Sequence, residues 1–341
     1  MKIAIHESRL GFSRDWISYC ERNKIDYKIV NCYDSNIVAE LADCDLLMFH
    51  HHHAGPRDVL FAKQLLFSLQ QSGNKVFPDF NTCWHFDDKL GQKYLLEAIQ
   101  APMAPTWAFY EKSMALDWAQ KASFPKVFKL RGGAGSSNVK LINSKSEAFK
   151  IINKAYGRGF SSYNKWDDLK EHIRKSKGDK KSVLGILGSF KRLFTATRFS
   201  HIAGRQKGYV LFQEFIAGNT FDIRVVVIAY KAFAIKRLVR KDDFRASGSG
   251  HILYAKEEID ERCVKIAFET THKLQGQCVA YDFVFTAENK PLIVEINYGF
   301  AHEAYFPCPG YWDKEMNWYE TKFNSADMII ESMLMSLKSN L

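Results

Sequence analysis

No stretch of this 341-residue chain approaches 18 consecutive apolar residues, which excludes a membrane-spanning helix. The opening MKIAIHESRLG turns polar too early for the apolar core of a secretory signal. The seven cysteines (Cys20, Cys32, Cys44, Cys83, Cys263, Cys278, Cys308) are dispersed and odd in number. None forms a Cys-x-x-Cys pair, so neither a disulfide framework nor a zinc ribbon is expected, and a reducing cytoplasm is the expected setting. Several catalytic signatures are missing as well. There is no Gly-Lys-Ser or Gly-Lys-Thr of a Walker A loop, no G-x-G-x-x-G ahead of a helix, no kinase His-Arg-Asp and no His-Glu-x-x-His zinc helix.

Apolar surface is plentiful: 26 Phe, 15 Tyr and 7 Trp in a chain that is 46% apolar offset the entropy of ordering, so extensive disorder is excluded. The length suits two or three domains. A formal charge of +10 favours anionic ligands: nucleotides, acidic polymers or nucleic acid. That charge is local. Residues 157–207 hold thirteen Lys and Arg against four Asp and Glu, net +9, and the rest of the chain is nearly neutral. The segment reads either as a docking surface for an acidic acceptor or as a solvated helical insert.

The first hundred residues alternate strand-like runs (Lys2–His6, Tyr27–Asn31, Asp45–Phe49, Lys75–Pro78) with helical patterns (Ser13–Arg22, Asn36–Ala42, Arg57–Gln71), the signature of βαβ units and a parallel sheet. A further helix is expected over Asp87–Gln100, ending before Ala101-Pro102. Beyond residue 105 the rhythm changes. Strand Lys126–Leu130, a Gly/Ser turn at Arg131–Ser137, and strand Asn138–Ile142 form a hairpin. A helix then starts near Ser144, with Glu147 at capping-box spacing. After the basic segment come strand Tyr209–Ile216, a hairpin of Phe221–Ala229 and Ala232–Val239, helix Glu257–Gln275, and a hairpin of Val279–Phe285 and Pro291–Asn297.

That last hairpin carries the clearest chemistry. A register centred on Glu288-Asn289 sets Asp282 opposite Glu295, and Asn297 shares the Glu295 face. Facing carboxylates repel unless a cation lies between them, and hard oxygen donors suit magnesium with nucleotide phosphate completing its shell. The alternative is two acids on a solvated face. A second cluster is cationic: Asp222 and Arg224 share a strand face, and the next strand adds Lys236, Arg237 and Arg240, with Arg245 in the following turn. Lys129 enters the turn of Gly132, Gly133, Gly135, Ser136 and Ser137, an anion cradle of backbone N–H groups. The run His50–His53 can offer at most two side chains to one metal, because alternate residues of a strand point oppositely. A strand end facing a cleft is the simpler reading, and Trp84, His85 and Phe86 read as packing.

This ordered set resembles the ATP-grasp superfamily, which includes glutathione synthetase, D-alanine:D-alanine ligase and the ligases that add glutamate to protein tails. The resemblance covers most of the chain and implies a mixed α/β and α+β fold: an amino-terminal pre-ATP-grasp α/β domain (1–104), a lid domain (105–212) holding the basic insert 157–207, and a carboxy-terminal catalytic domain (213–341). It places the ATP lysines at Lys89 and Lys129, the latter within VFKLRGGAGSSNV. In LFQEFI it implies adenine contacts from Gln213 and Glu214 by side chain and from Phe215 and Ile216 by backbone. In FDIR it implies Asp222 on the ribose and Arg224 on the phosphate or acyl group, with Arg237 of AIKR on the transferring phosphate. Asp282, Glu295 and Asn297 fall on the magnesium ligands. Two features depart from the pattern: Arg245 is followed by Ala246 and Ser247 where many members carry Arg-x-Asn, and the basic insert is long. The tail INYGFAHEAYFPCPGYWD and the segment WHFDDK also resemble ATP-grasp proteins of surface-polysaccharide loci.

The activity so implied is ATP- and magnesium-dependent joining of a carboxylate to an amine through an acyl phosphate, with Arg224, Arg237 and Arg245 holding the reacting oxygens. The acceptor expected from the basic segment is an acidic sugar or polymer. A small-molecule or sugar kinase on the same fold is the alternative enzyme, and a non-catalytic nucleotide- or nucleic-acid-binding protein is the alternative from another class. The metal triad and the two lysines argue against the last.

Overall fold

The computed structural model describes residues 2–8, 11–53, 55–132, 138–161, 204–239, 246 and 250–338. They form two compact units, one comprising 1–86, 91–103 and 216–341, the other 87–90 and 104–215. In chain order the elements begin β1 (Lys2–His6), α1 (Ser13–Asn23), β2 (Asp26–Val30), α2 (Ile37–Glu40), β3 (Leu46–Met48), α3 (Pro56–Gln71), β4 (Lys75–Phe77), α4 (Phe80–Cys83) and α5 (Lys89–Ala98). Next come β5 (Thr106–Phe109), α6 (Lys112–Lys121), β6 (Lys126–Lys129), β7 (Val139–Ile142), α7 (Lys145–Tyr156), β8 (Phe160–Ser161), β9 (Arg205–Gln206) and β10 (Val210–Glu214). The carboxy-terminal part holds β11 (Phe221–Ile228), β12 (Lys231–Leu238), β13 (Ile252–Leu253), α8 (Glu261–Leu274), β14 (Cys278–Phe285), β15 (Pro291–Asn297), β16 (Gly310–Asp313), β17 (Trp318–Glu320) and α9 (Ser325–Lys338). Among the described residues no helix is long and apolar enough to cross a membrane.

In the first unit the expected parallel sheet forms in the order β2-β1-β3-β4. Its central strand β1 is buried from Ile3 to His6, as a strand covered on both faces must be. A second, antiparallel sheet runs β15-β14-β11-β12-β16-β17, with β13 beside β12. One hydrophobic cluster joins the two layers, from Ile3, Phe12, Trp16 and Phe77 to Phe233, Tyr298 and Ile329. A second cluster packs α8 against the other face of the antiparallel sheet, through Val264 and Ala267 onto Val225, Tyr281 and Phe283.

The second unit is a four-stranded antiparallel sheet in the order β5-β10-β6-β7, packed on α6 and α7 through Ala115, Ala148, Ile152, Phe128 and Phe212. The Ser144 hydroxyl caps α7 by accepting from the Glu147 N–H at 3.3 Å. The Glu147 carboxylate reaches back to the Asn143 N–H at 2.9 Å, one residue beyond the usual capping-box donor. Helix α5 is shorter than expected, because Asp87 and Gln100 adopt left-handed φ values of 52° and 54° that interrupt helical geometry at both ends. Helix α8 likewise begins at Glu261, where the Asp260 carboxylate caps it, and Lys256–Glu258 forms a separate 3-10 turn.

One glycine of the first unit is sterically obligatory. Gly11 lies at φ +94°, and a Cβ there would fall 1.8 Å from Nδ1 of the buried His50. The imidazole cannot retreat, since it stacks on Phe12 with ring centroids 4.2 Å apart and its Nδ1 accepts from the Phe12 N–H at 3.2 Å. Gly11→Ala is therefore expected to cost about 2–4 kcal/mol of stability through backbone strain and overpacking. A urea denaturation midpoint equal to that of the wild type would refute this.

Candidate active site

The expected pairing of Asp282 with Glu295 is present, and a β-bulge makes it so. Near the turn, Phe285 pairs with Pro291, Val284 with Leu292 and Phe283 with Ile293; the register then shifts, and Asp282 pairs with Glu295, Tyr281 with Ile296 and Ala280 with Asn297. Continued without the extra residue, the turn-side register would set Asp282 opposite Val294 and Glu295 on the far face. The bulge explains how Ile293 and Ile296, three positions apart, both enter the same core cluster. Asn297 Nδ2 donates to Glu295 Oε1 at 3.3 Å, so the amide and carboxylate share a face.

The lateral neighbours of these strands add a charge network. Strand β11 lies between β12 and β14, pairing Asp222 with Arg237 on one side and Arg224 with Asp282 on the other. Arg224 grips Asp282 with two bonds, Nε to Oδ1 at 2.5 Å and Nη2 to Oδ2 at 2.8 Å. Arg237 grips Asp222 the same way, Nε to Oδ1 at 2.7 Å and Nη2 to Oδ2 at 2.5 Å, and its Nη2 lies 3.0 Å from Asp282 Oδ1. Burial works to raise the Asp282 carboxyl, but the two guanidiniums outweigh it and hold it down to about 2. At Asp222 burial wins and raises the carboxyl, against the pull of Arg237. Both carboxylates are more than nine-tenths buried, so each ion pair depends on its bidentate geometry for satisfaction.

One residue of the cationic cluster, Lys236, is turned away from the others. Lys236 pairs with Ile223 rather than with Asp222, so it points to the opposite face and binds Glu258 at 2.7 Å. The period-two alternation of a strand forbids Lys236 and Arg237 from sharing a face. Arg240 and Arg245 lie outside the described residues. Sequence reasoning also missed a neighbour: Tyr305, buried at the end of the 3-10 turn His302–Tyr305, interacts electrostatically with Arg224, Arg237 and Asp282. It falls within the segment INYGFAHEAYFPCPGYWD, but no strand pattern marks it.

In the second unit, Lys129 ends β6, buried, paired with Leu211 and Val139. Lys126, three residues earlier on the same strand, binds Glu214 at 2.8 Å and lies over the Trp107 ring. Lys89, also buried, opens α5; its N–H donates to the Arg131 carbonyl at 2.9 Å and its Nζ lies 3.6 Å from Asp87 Oδ1. Arg131 in turn grips Asp88 through Nε at 2.9 Å and Nη2 at 2.6 Å. The structure therefore ties the start of α5 to the entrance of the glycine turn. A Cβ on Gly132 would lie 3.1 Å from Asp87 Oδ2, a close backbone approach suited to glycine. Gly133, Gly135, Ser136 and Ser137 lie outside the described residues, as does the basic segment from 162 to 203. Gln213 is buried with Nε2 donating to Thr106 Oγ1 at 3.1 Å, and the Glu214 N–H is held by the Pro105 carbonyl at 2.8 Å. Phe215 closes this unit and Ile216 opens its segment of the first, where the Ile216 carbonyl accepts from Asn219 at 3.1 Å.

The histidine run packs. His50 sits between Phe12 and Tyr298, and His51 between Phe86 and Tyr298. Burial pushes the His51 imidazole down to about 3, with Lys63 adding to the effect, and lowers His50 as well, so both are neutral near pH 7. Phe86 belongs to the core cluster of the first unit.

Among the described residues no group of three or more His, Cys, Asp or Glu is placed to cage a metal ion. Magnesium needs no such cage when phosphate oxygens supply the remaining ligands. A carboxylate offers about four lone-pair positions, and the arginines engage three at Asp282. With Glu295 directly opposite and the Asn297 amide beside it, the donors fit a two-carboxylate magnesium site.

Residues 191–304 match the family model of the RimK-like ATP-grasp domain. Among solved structures, the fold is similar to that of a RimK-domain ATP-grasp protein from Sphaerobacter thermophilus DSM 20745, with TM-score 0.57 and 15% identity over 98% of this chain and 100% of that one. It is also similar to D-alanine–D-alanine ligase from Bacillus anthracis complexed with ATP, with TM-score 0.58 and 13% identity over 100% and 99% of the two chains. A D-cycloserine synthetase gives TM-score 0.60 and 12% identity over 99% and 100%. No curated protein sequence matches the chain significantly. Residues 191–304 are thus similar to the RimK-like ATP-grasp domain, and the fold of the chain is the ATP-grasp fold.

Proposed function

We propose that the protein is an ATP- and magnesium-dependent ligase that activates a carboxylate as an acyl phosphate and joins it to an amine. The observation that carries this reading is the four-strand row Arg237, Asp222 and Arg224, Asp282, Glu295, which brings the buried Arg237 and the partly buried Arg224 beside a carboxylate pair suited to magnesium. Magnesium held by Asp282, Glu295 and Asn297 would draw charge from the nucleotide phosphates. Lys89 and Lys129 would bind phosphate oxygens, and Gly132, Gly133, Gly135, Ser136 and Ser137 would offer backbone donors to them. Gln213, Glu214, Phe215 and Ile216 would hold adenine.

Arg224, Arg237 and Arg245 would orient the substrate carboxylate and the transferring phosphoryl group. A carboxylate oxygen attacks the γ-phosphorus; the bond from that phosphorus to the bridging oxygen breaks, and ADP leaves with the electron pair. The amine then adds to the acyl carbon, phosphate departs, and the nitrogen gives up a proton as the amide forms. No side-chain nucleophile takes part. The charge of +9 over residues 157–207 supports an acidic acceptor, such as an acidic sugar or polymer.

Hydroxylamine in place of the amine tests the scheme. With ATP, magnesium and acids screened in turn, an acyl hydroxamate and ADP are expected, detected by mass spectrometry. A stable phosphorylated product with no hydroxamate would replace the ligase with a kinase. Equal turnover of acidic and neutral acceptors would remove the role of the basic segment.

A further inference from the structure

We infer that Arg131 is a third phosphate-binding cation of the nucleotide site, held on Asp88 until a nucleotide phosphate takes the place of that carboxylate. The inference rests on the ligase reading, which gives the phosphate oxygens of ATP to Lys89 and Lys129. Strand alternation sets the direction. Phe128 and Leu130 belong to the hydrophobic cluster of the second unit, so Lys129 faces the opposite side of β6, as does Gln213 beside Phe212 on β10. The Leu130 N–H still bonds the Asn138 carbonyl at 3.1 Å, which extends the ladder past β6 and makes Arg131 the next residue on the Lys129 face. Its carbonyl accepts from the Lys89 N–H at 2.9 Å, so Arg131 is a neighbour of both lysines. An anion that reaches both lysines lies within the sweep of its side chain.

The backbone and the side chain of Arg131 are held differently. Its N–H donates to the Tyr209 hydroxyl at 2.6 Å and to Gln206 Oε1 at 3.1 Å, which with the carbonyl bond fixes both polar groups of the backbone. The side chain is 60% exposed, and both of its bonds converge on one oxygen, Asp88 Oδ2, from Nε at 2.9 Å and Nη2 at 2.6 Å. The entrance of the turn therefore does not depend on the ion pair. Magnitudes favour exchange. An exposed pair holds its members together by a factor of about five or less, whereas charge-assisted bonds to phosphate contribute about tenfold or more. The guanidinium fork fits carboxylate and phosphate alike. Asp88 loses little when the fork leaves, because it immediately precedes α5, whose first N–H groups and dipole stabilise a carboxylate there.

Titration calorimetry with magnesium and the β,γ-imido analogue of ATP reads the exchange without an acid substrate. Arg131→Ala is expected to bind the analogue about tenfold more weakly than the wild type. Asp88→Asn keeps a residue suited to the start of a helix but removes the competing charge, so it should bind about two- to fivefold more tightly. Without Arg131 that gain should vanish, and the double variant should match Arg131→Ala. A pair with a purely structural role predicts the opposite sign at Asp88, because its loss would loosen the cradle and weaken binding. Should Asp88→Asn fail to fold, Asp88→Ser carries the same test. An Asp88 variant that binds no more tightly than the wild type, an Arg131→Ala affinity within twofold of it, or a gain that persists in the double variant overturns the inference and leaves the ligase reading intact. A wild-type chain that does not bind the analogue overturns the nucleotide site itself.

Discussion

Replacing Lys129 by alanine is expected to lower the affinity for ATP by about 10- to 100-fold, the scale of one lost charge-assisted phosphate contact of roughly 1.5–3 kcal/mol. The fold should survive. Lys129 is the last residue of β6, and the strand keeps its ladder to β10 and β7 whatever side chain stands there. Lys126 is the informative control. Its ammonium is committed to Glu214 at 2.8 Å and to the Trp107 ring, so Lys126→Ala should lower stability, leaving a half-buried carboxylate without its partner. Fluorescence titration with a labelled ATP analogue separates the two variants. Wild-type affinity in Lys129→Ala would remove this lysine from the nucleotide site.

Glu295→Gln is expected to weaken magnesium binding in the presence of ADP by about 10- to 100-fold, because a formal charge is lost from a site that has only two carboxylates. This substitution is cleaner than its counterpart across the hairpin. Asp282 is the bidentate partner of Arg224 and also lies 3.0 Å from Arg237 Nη2, so Asp282→Asn would leave Arg224 without its carboxylate at a cost of about 3–5 kcal/mol. Lost activity there could not be told from lost structure. Calorimetric titration of magnesium into the ADP complex of Glu295→Gln decides the matter, and an unchanged dissociation constant would exclude Glu295 from the metal ligands.

The two variants probe residues that were legible to different degrees. Lys129 stands out because a cation at the end of an apolar strand, followed by glycines, has a visible signature. The pairing of Asp282 with Glu295 follows from counting outward from Glu288-Asn289, yet the count succeeds because the bulge adds a residue to β15. Tyr305 has no such signature. It reaches the arginines from a 3-10 turn beyond the last strand, and turns leave no periodic trace. For the same reason the packing of His50 between Phe12 and Tyr298 could not be read from the run His50–His53, whose composition suggests a metal while its surroundings are aromatic.

By itself the sequence determined the local elements and their order: the βαβ rhythm of the first hundred residues, the capped start of α7, both late hairpins and the local concentration of charge. These are properties of neighbouring residues, set by periodicity, capping and turn chemistry, which act over a few positions. The tertiary structure decided which strands lie side by side. Asp282 meets Arg224 because β14 pairs with β11 across 58 residues of chain, and nothing in either strand's pattern names the other as its neighbour. It also decided that the amino-terminal sheet and the antiparallel sheet share one core, joined at Tyr298, whose hydroxyl donates to the His51 carbonyl at 2.6 Å. Lateral pairing is fixed by the burial of whole faces, a sum over many distant residues. The arginine and carboxylate row therefore exists only once that sum has been made.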